Sequence, residues 1–202
     1  SAGKEYCTYE KSVAAPLFKK EFEVTDMPDL CEITVGCTGF FEIFLNGCNI
    51  TDGLLVPFQV NCNNTIFYRK YDVTDMLVRG KNAVGIVLGR GWYHSVLGWA
   101  ADSGRTTYQI KNMGALAQIV VTYKDGSQEV IATDSDWRSA TGEILMSTIY
   151  DGETIDARRA QKGWSVAGFD DGAWQKVRVA DYSLSDLVPT ESEPVVTHKI
   201  LK

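Results

Sequence analysis

The sequence predicts an all-β chain folded as a jelly-roll β-sandwich, and three observations carry that prediction. Apolar residues recur with a period of two, turn-forming dipeptides punctuate the runs, and no amphipathic helix pattern persists for three turns. Successive side chains of a strand point to opposite faces, so each alternating apolar set marks one buried face.

Taken in order, Cys31, Ile33, Val35 and Cys37 alternate with Glu32 and Thr34, which puts two thiols on the buried face of a strand. Phe41, Ile43 and Leu45 then alternate with Glu42 and Phe44. Asn46-Gly47, Asp52-Gly53 and Asp125-Gly126 supply residues that tolerate the positive φ of tight turns. Asp75-Met76-Leu77 closes a single short helix at most. Ala83 to Leu88 is continuously apolar, as a central strand buried on both faces would be. Ala117, Ile119, Val121 and Tyr123 alternate with Gln118, Val120 and Thr122, and residues 121–131 read as a hairpin turning at Asp125-Gly126.

The ends differ from the middle. Residues 1–13 are polar and unpatterned, and Ser183 to Pro194 is rich in Ser, Asp, Glu and Pro, as an exposed linker is. Val195 to Leu201 reads as a fresh strand. The predicted organisation is a tail over 1–13, a sandwich over 14–182, and a linker with the first strand of a following domain over 183–202.

Composition narrows the function classes. Hydrophobic residues at 45% and charged residues at 23% suit one soluble globular domain of 202 residues. Twenty basic against 26 acidic side chains leave a net charge of −6, opposite in sign to a surface that tracks phosphates, so no nucleic-acid partner is expected. No apolar run approaches the roughly 18 residues of a membrane span, so no membrane partner is expected either. The five cysteines (Cys7, Cys31, Cys37, Cys48 and Cys62) are odd in number and lack zinc-ligand spacing. With no charged-then-apolar leader, they point to a reducing, cytoplasmic setting.

Catalytic patterns are thin. Two histidines and no Gly-x-Ser-x-Gly give no nucleophilic triad, and Gly89-Arg90-Gly91 lacks the third glycine of a dinucleotide fingerprint. Asp151, Glu153 and Asp156 place three acids within six residues, and glycosidases use two facing carboxyl groups. A turn at Asp151-Gly152 and pairing of Asp156 with Arg158 or Arg159 are the stronger reading. Asp170-Asp171 before Gly172 offers oxygens to a cation or to an ordinary Asx turn. Trp92, Tyr93 and Trp99 follow the buried strand, hence stand in a loop at a sandwich end. Aromatic platforms with amides suit a pyranose, which has an apolar face and a hydroxyl rim, and Asn61, Asn63 and Asn64 supply amides from another loop.

Several motifs together resemble a known family. They are Ala15-Pro16-Leu17-Phe18 through Phe22, Gly39-Phe40-Phe41-Glu42 with Leu45-Asn46-Gly47, Tyr71-Asp72-Val73-Thr74-Asp75, and Leu88-Gly89-Arg90-Gly91-Trp92-Tyr93. Tyr150-Asp151-Gly152-Glu153 and Gly168-Phe169-Asp170-Asp171 with Trp174 follow in the same order. Across residues 14–182 the chain resembles the N-terminal β-sandwich module of bacterial α-L-rhamnosidases. The resemblance implies a galactose-binding-domain-like jelly roll without catalytic residues of its own. It further implies a parent whose inverting hydrolysis takes place in an (α/α)6 barrel of the same chain. In some relatives such a module binds terminal L-rhamnose, or a rhamnosylated glycan, through calcium, an Asp-Asn pair, further amides and aromatics. The positions that correspond here are Asn63, Asn64 and Asn112 for metal and sugar, with Trp92 and Tyr93 for sugar. Where relatives commonly show Pro-Gly-Trp-Thr-Asp, this chain reads Pro57-Phe58-Gln59-Val60-Asn61, an amide in place of a carboxylate. Two functions follow as expectations: a rhamnose-binding module, or a scaffold packed on the catalytic barrel.

Overall fold

The alternating runs fold as two facing sheets. The computed structural model describes residues 14–58, 65–91, 93, 113–149, 152–180 and 187–197. Its strands are β1 (Pro16–Val24), β2 (Leu30–Cys37), β3 (Phe40–Leu45), β4 (Cys48–Asn49), β5 (Ile66–Asp72), β6 (Gly80–Gly89), β7 (Ala115–Thr122), β8 (Gln128–Ala132), β9 (Arg138–Thr141), β10 (Ile144–Thr148), β11 (Gly152–Ile155), β12 (Gln175–Lys176) and β13 (Leu187–Pro189). One sheet runs β12-β9-β1-β6-β3-β4, the other β13-β5-β2-β7-β8, and β10 with β11 forms a separate hairpin. Helical structure among the described residues is confined to short 3-10 turns, such as Thr74–Met76, where the single short helix was expected.

The period-two pattern becomes the core. Phe22, Val24, Phe41, Ile43, Leu45, Val84, Ile86 and Leu88 from the first sheet meet Cys31, Ile33, Val35, Ala117, Ile119 and Val121 from the second. Burial of such apolar area is the main stabilising term, at about 25 cal/mol per Å². Strand β6 pairs with β1 on one side and β3 on the other, the central, doubly covered position that its continuous apolar run predicts. Cys31 and Cys37 are buried thiols in no disulfide, and burial, helped by the Asp72 and Glu32 carboxylates, pushes the Cys31 thiol up to about 11.

Two predicted turns form as hairpins. Leu45 pairs with Cys48 across Asn46 and Gly47, both at positive φ (51° and 86°), the two-residue turn whose twist matches the strands. The β7–β8 hairpin closes at Asp125-Gly126, with the Asp125 carboxylate accepting from the Ser127 amide at 2.9 Å. Asp52-Gly53 does something else. A Cβ on Gly53 would lie 2.8 Å from Pro194 Cβ, so this glycine permits close chain approach rather than a hairpin turn.

The polar stretch read as an exposed linker, and Val195 after it, are tied to the sandwich at several points. Leu187–Pro189 pairs in parallel with β5, and the Leu54 amide donates to the Val195 carbonyl at 2.7 Å. An unpaired sheet edge presents free amides and carbonyls, and this segment satisfies those of β5. Val195 forms an isolated bridge with Leu54, and residues 198–201 of the predicted strand lie outside the described residues.

Candidate functional site

Strand register puts the described flanks of the three predicted sugar-binding segments at one end of the sandwich. Cys37 pairs with Ala115, Gly36 with Tyr68, and Phe40 with Gly89. The C-termini of β2 and β6 therefore share an end with the N-termini of β3, β5 and β7. Segment 57–65 leads into β5, segment 89–99 leaves β6, and Asn112 precedes the Met113-Gly114 approach to β7. Hydrogen bonds fix these roots. Thr38 donates its amide to the Gly114 carbonyl (2.9 Å) and accepts from the Gly114 amide on its Oγ1 (2.9 Å). The Phe41 amide donates to the Val56 carbonyl at 2.9 Å. Gly39 sits at φ 110°, and a Cβ there would meet the Gly89 carbonyl oxygen at 2.4 Å, so β3 and β6 can close up only at a glycine. A cavity of about 530 Å³ opens beside these roots, lined by Cys37, Thr38, Ile66, Met113, Gly114 and Trp137 among others.

Of the predicted site residues, Tyr93 is buried, only 4% exposed, which withholds its ring faces from a ligand. Asn63, Asn64, Trp92 and Asn112 lie outside the described residues. Among the described residues no three His, Cys, Asp or Glu side chains cluster as metal ligands would.

The acidic motifs have local structural partners. Glu153, on β11, accepts from Ser147 Oγ at 3.1 Å across the β10–β11 hairpin. Asp156 caps the 3-10 turn Ala157–Arg159 and takes two 2.8 Å hydrogen bonds from the Arg158 guanidinium, which holds its carboxyl below the usual range. Asp151 lies outside the described residues. Asp170 accepts from the Gly172 amide at 3.1 Å, an Asx turn, and Asp171 lies 3.5 Å from Lys19 Nζ.

Sequence reasoning missed what covers the outer face of the six-stranded sheet. Residues 157–174 lie across it. The Trp164 ring sits over Gly85, meets the edge of Phe44 (centroids 5.5 Å apart) and stacks near Trp174 at 6.1 Å. Lys19 is fully buried beneath this cover, its ammonium donating to Glu21 Oε1 at 2.6 Å and standing 5.7 Å from the Phe169 ring centre. Burial alone would raise the Glu21 pKa, but hydrogen bonds from Lys19 and the Gly168 amide bring it below 4.5. Gly85, inside an otherwise apolar strand, was the signal available, because a strand-interior glycine marks close approach. Beside Trp164 a groove of about 680 Å³ stays open over Val87 and Gly89.

A two-sheet all-β sandwich with its long connections rooted at one end defines a class: the jelly-roll module, in which a rigid frame presents loops. Comparison with known proteins places the chain within that class. The α-L-rhamnosidase N-terminal domain profile matches residues 30–199. An α-L-rhamnosidase of Formosa agariphila is 33% identical over 164 residues, which span 80% of this chain and 17% of that protein. The crystal structure of an Aspergillus terreus α-L-rhamnosidase superposes with a TM-score of 0.82 at 35% identity, covering 87% of this chain and 20% of that one. A Streptomyces avermitilis α-L-rhamnosidase, solved in complex with L-rhamnose, gives a TM-score of 0.78 at 33% identity, covering 92% of this chain and 17% of that one. The chain belongs to the α-L-rhamnosidase N-terminal domain family. It spans about a fifth of these relatives' length.

Proposed function

We propose that this chain is the non-catalytic accessory module of an α-L-rhamnosidase and captures terminal L-rhamnose, or a rhamnosylated glycan, at the loop end of its sandwich. The supporting observation is the register that roots segments 57–65, 89–99 and the approach to β7 side by side. In this reading the Trp92 ring stacks on the sugar's apolar face while Asn63, Asn64 and Asn112 meet hydroxyls. With Tyr93 buried, its role is to seat the loop. The three amides are neutral donors and fit calcium poorly, since that ion prefers anionic oxygen. Recognition is therefore assigned to amides and ring, with calcium a weak addition that vicinal sugar hydroxyls would complete.

The partner in the same chain would be the hydrolytic domain, and the compartment proposed is the cytoplasm. Glu153 and Asp156 are engaged by Ser147 and Arg158, so the chain alone should not cleave aryl α-L-rhamnosides. Turnover abolished by Glu153→Gln would overturn that assignment. Calorimetric titration with L-rhamnose tests the binding itself. The expected Kd is about 1 mM, near −4 kcal/mol. It should weaken at least fivefold in Asn64→Ala and by less than threefold on chelation of calcium.

A scaffold reading has its own support. Leu54 (54% exposed), Leu55, Phe58, Val195 and Val196 (59% exposed) form an apolar strip where the 53–58 and 194–196 segments meet, a surface suited to a neighbouring domain. Heat-free titrations with wild-type chain at roughly tenfold the expected Kd would favour it.

A further inference from the structure

A second groove lies on the outer face of the six-stranded sheet, and its lining reaches Phe40 and Gly89 at the loop end. Outward positions of β1, β6 and β3 (Leu17, Val87, Gly89, Phe40 and Phe44) floor the 680 Å³ groove. The β10–β11 hairpin forms one wall with Ser147 and Glu153, and Trp164 closes the groove on another side. Its volume lies in the range of pockets that enclose small ligands.

The charged groups that line it among the described residues share one sign. Glu42, Glu143 and Glu153 contribute carboxylates, and among the described residues no Lys, Arg or His lines the groove. Phosphates, sulfates and uronates would meet repulsion and no counter-charge. A wholly apolar ligand would strand the carboxylates without water. A chain of neutral sugar rings meets both requirements, since C–H faces suit Phe44 and Val87 while hydroxyls donate to carboxylate oxygens. Two of the acceptors are partly engaged, Glu42 by Asn49 at 3.3 Å and Glu153 by Ser147 at 3.1 Å. Glu143 makes no side-chain hydrogen bond among the described residues and is half-buried. The floor is shallow because Gly89 brings no side chain: a Cβ there would reach only Phe40 Cβ and Ser147 Oγ, both at 3.9 Å.

We infer that this groove is a binding site for a neutral oligosaccharide, occupying at least two sugar rings. It is a site in addition to the proposed rhamnose end, so the chain would hold a glycan by its terminus and along its body. Linking two weak contacts raises affinity through effective concentration when one ligand spans both.

The test is an amide NMR titration of the 202-residue chain with rutinose, cellobiose and digalacturonate as probes. Rutinose and cellobiose should shift the amides of Val87, Gly89, Ser147 and Glu153 with Kd values of about 1–10 mM, and digalacturonate should leave them unmoved. Glu143→Gln should weaken these shifts about threefold, and Gly89→Leu, which fills the floor without entering the core, should abolish them. Unmoved groove amides with both neutral sugars up to about 50 mM would overturn the proposal. So would shifts that persist in Gly89→Leu protein, or equal shifts with digalacturonate. A parallel titration with L-rhamnose on Asn64→Ala protein reports the loop end alone, so failure of either site is read separately from the other.

Discussion

The two sheets of this sandwich carry the same alternating code on their inner faces and resolve their outer faces differently. On the five-stranded sheet, outward Glu32 and Lys70 pair at 3.2 Å in open solvent. On the six-stranded sheet, the outward Lys19 is buried under residues 157–174, with Glu21, Asp171 and Phe169 around it. An outward charge in the first case is a solvated decoration, worth little because water competes for it. In the second it anchors a cover, and the cover in turn supports the wall of the open groove. Position on a strand thus decides which face a residue takes, while segments distant in sequence decide whether that face stays wet.

Substitutions can sharpen this contrast, and the largest effect is expected at Gly85. A Cβ there would stand 2.5 Å from Trp164 Cζ3, so Gly85→Ala should displace the indole and cost about 2 kcal/mol in urea denaturation. A loss under about 0.5 kcal/mol would mean that the cover is loosely held. Lys19→Ala comes next, at about 1–2 kcal/mol, because it removes packing and leaves Glu21 and Asp171 without their cation. Lys19→Met should recover only the packing part of that loss, since Glu21 and Asp171 stay without their cation. Lys70→Ala, on the open sheet, should change stability by less than about 0.5 kcal/mol.

Acid probes the same difference without mutation. The folded Glu21 pKa lies below its ordinary 4.5, so its stabilising contribution is present above that value and is lost as pH falls through the lowered folded pKa. Tryptophan fluorescence followed from pH 7 downward should report loosening of the Trp164–Trp174 cover only below pH 4.5. Loosening between pH 7 and 5 would contradict this assignment.

The inner faces were legible in the sequence because period-two burial is local: Phe41, Ile43 and Leu45, or Ala117, Ile119 and Val121, declare their face by spacing alone. The Asn46-Gly47 hairpin was legible because positive φ restricts residue choice. Lys19 was not, since its burial depends on Asp171, 152 positions away. The pairing of Leu187–Pro189 with β5 was hidden for the same reason: polar composition marked an exposed linker and carried no sign of the sheet edge it pairs with. Of the candidate site, the sequence named the three segments, and strand register accounts for why their roots are neighbours. The burial of Tyr93 could not be foreseen from its place beside Trp92 in a loop.

The central claim is that the loop end of the sandwich receives a terminal rhamnose. A crystal of the 202-residue chain soaked in L-rhamnose at roughly tenfold the expected Kd tests it most directly. The account predicts a sugar against Trp92 with amide contacts from Asn63, Asn64 or Asn112. Clear density for those side chains, with no sugar among them at that concentration, would contradict it.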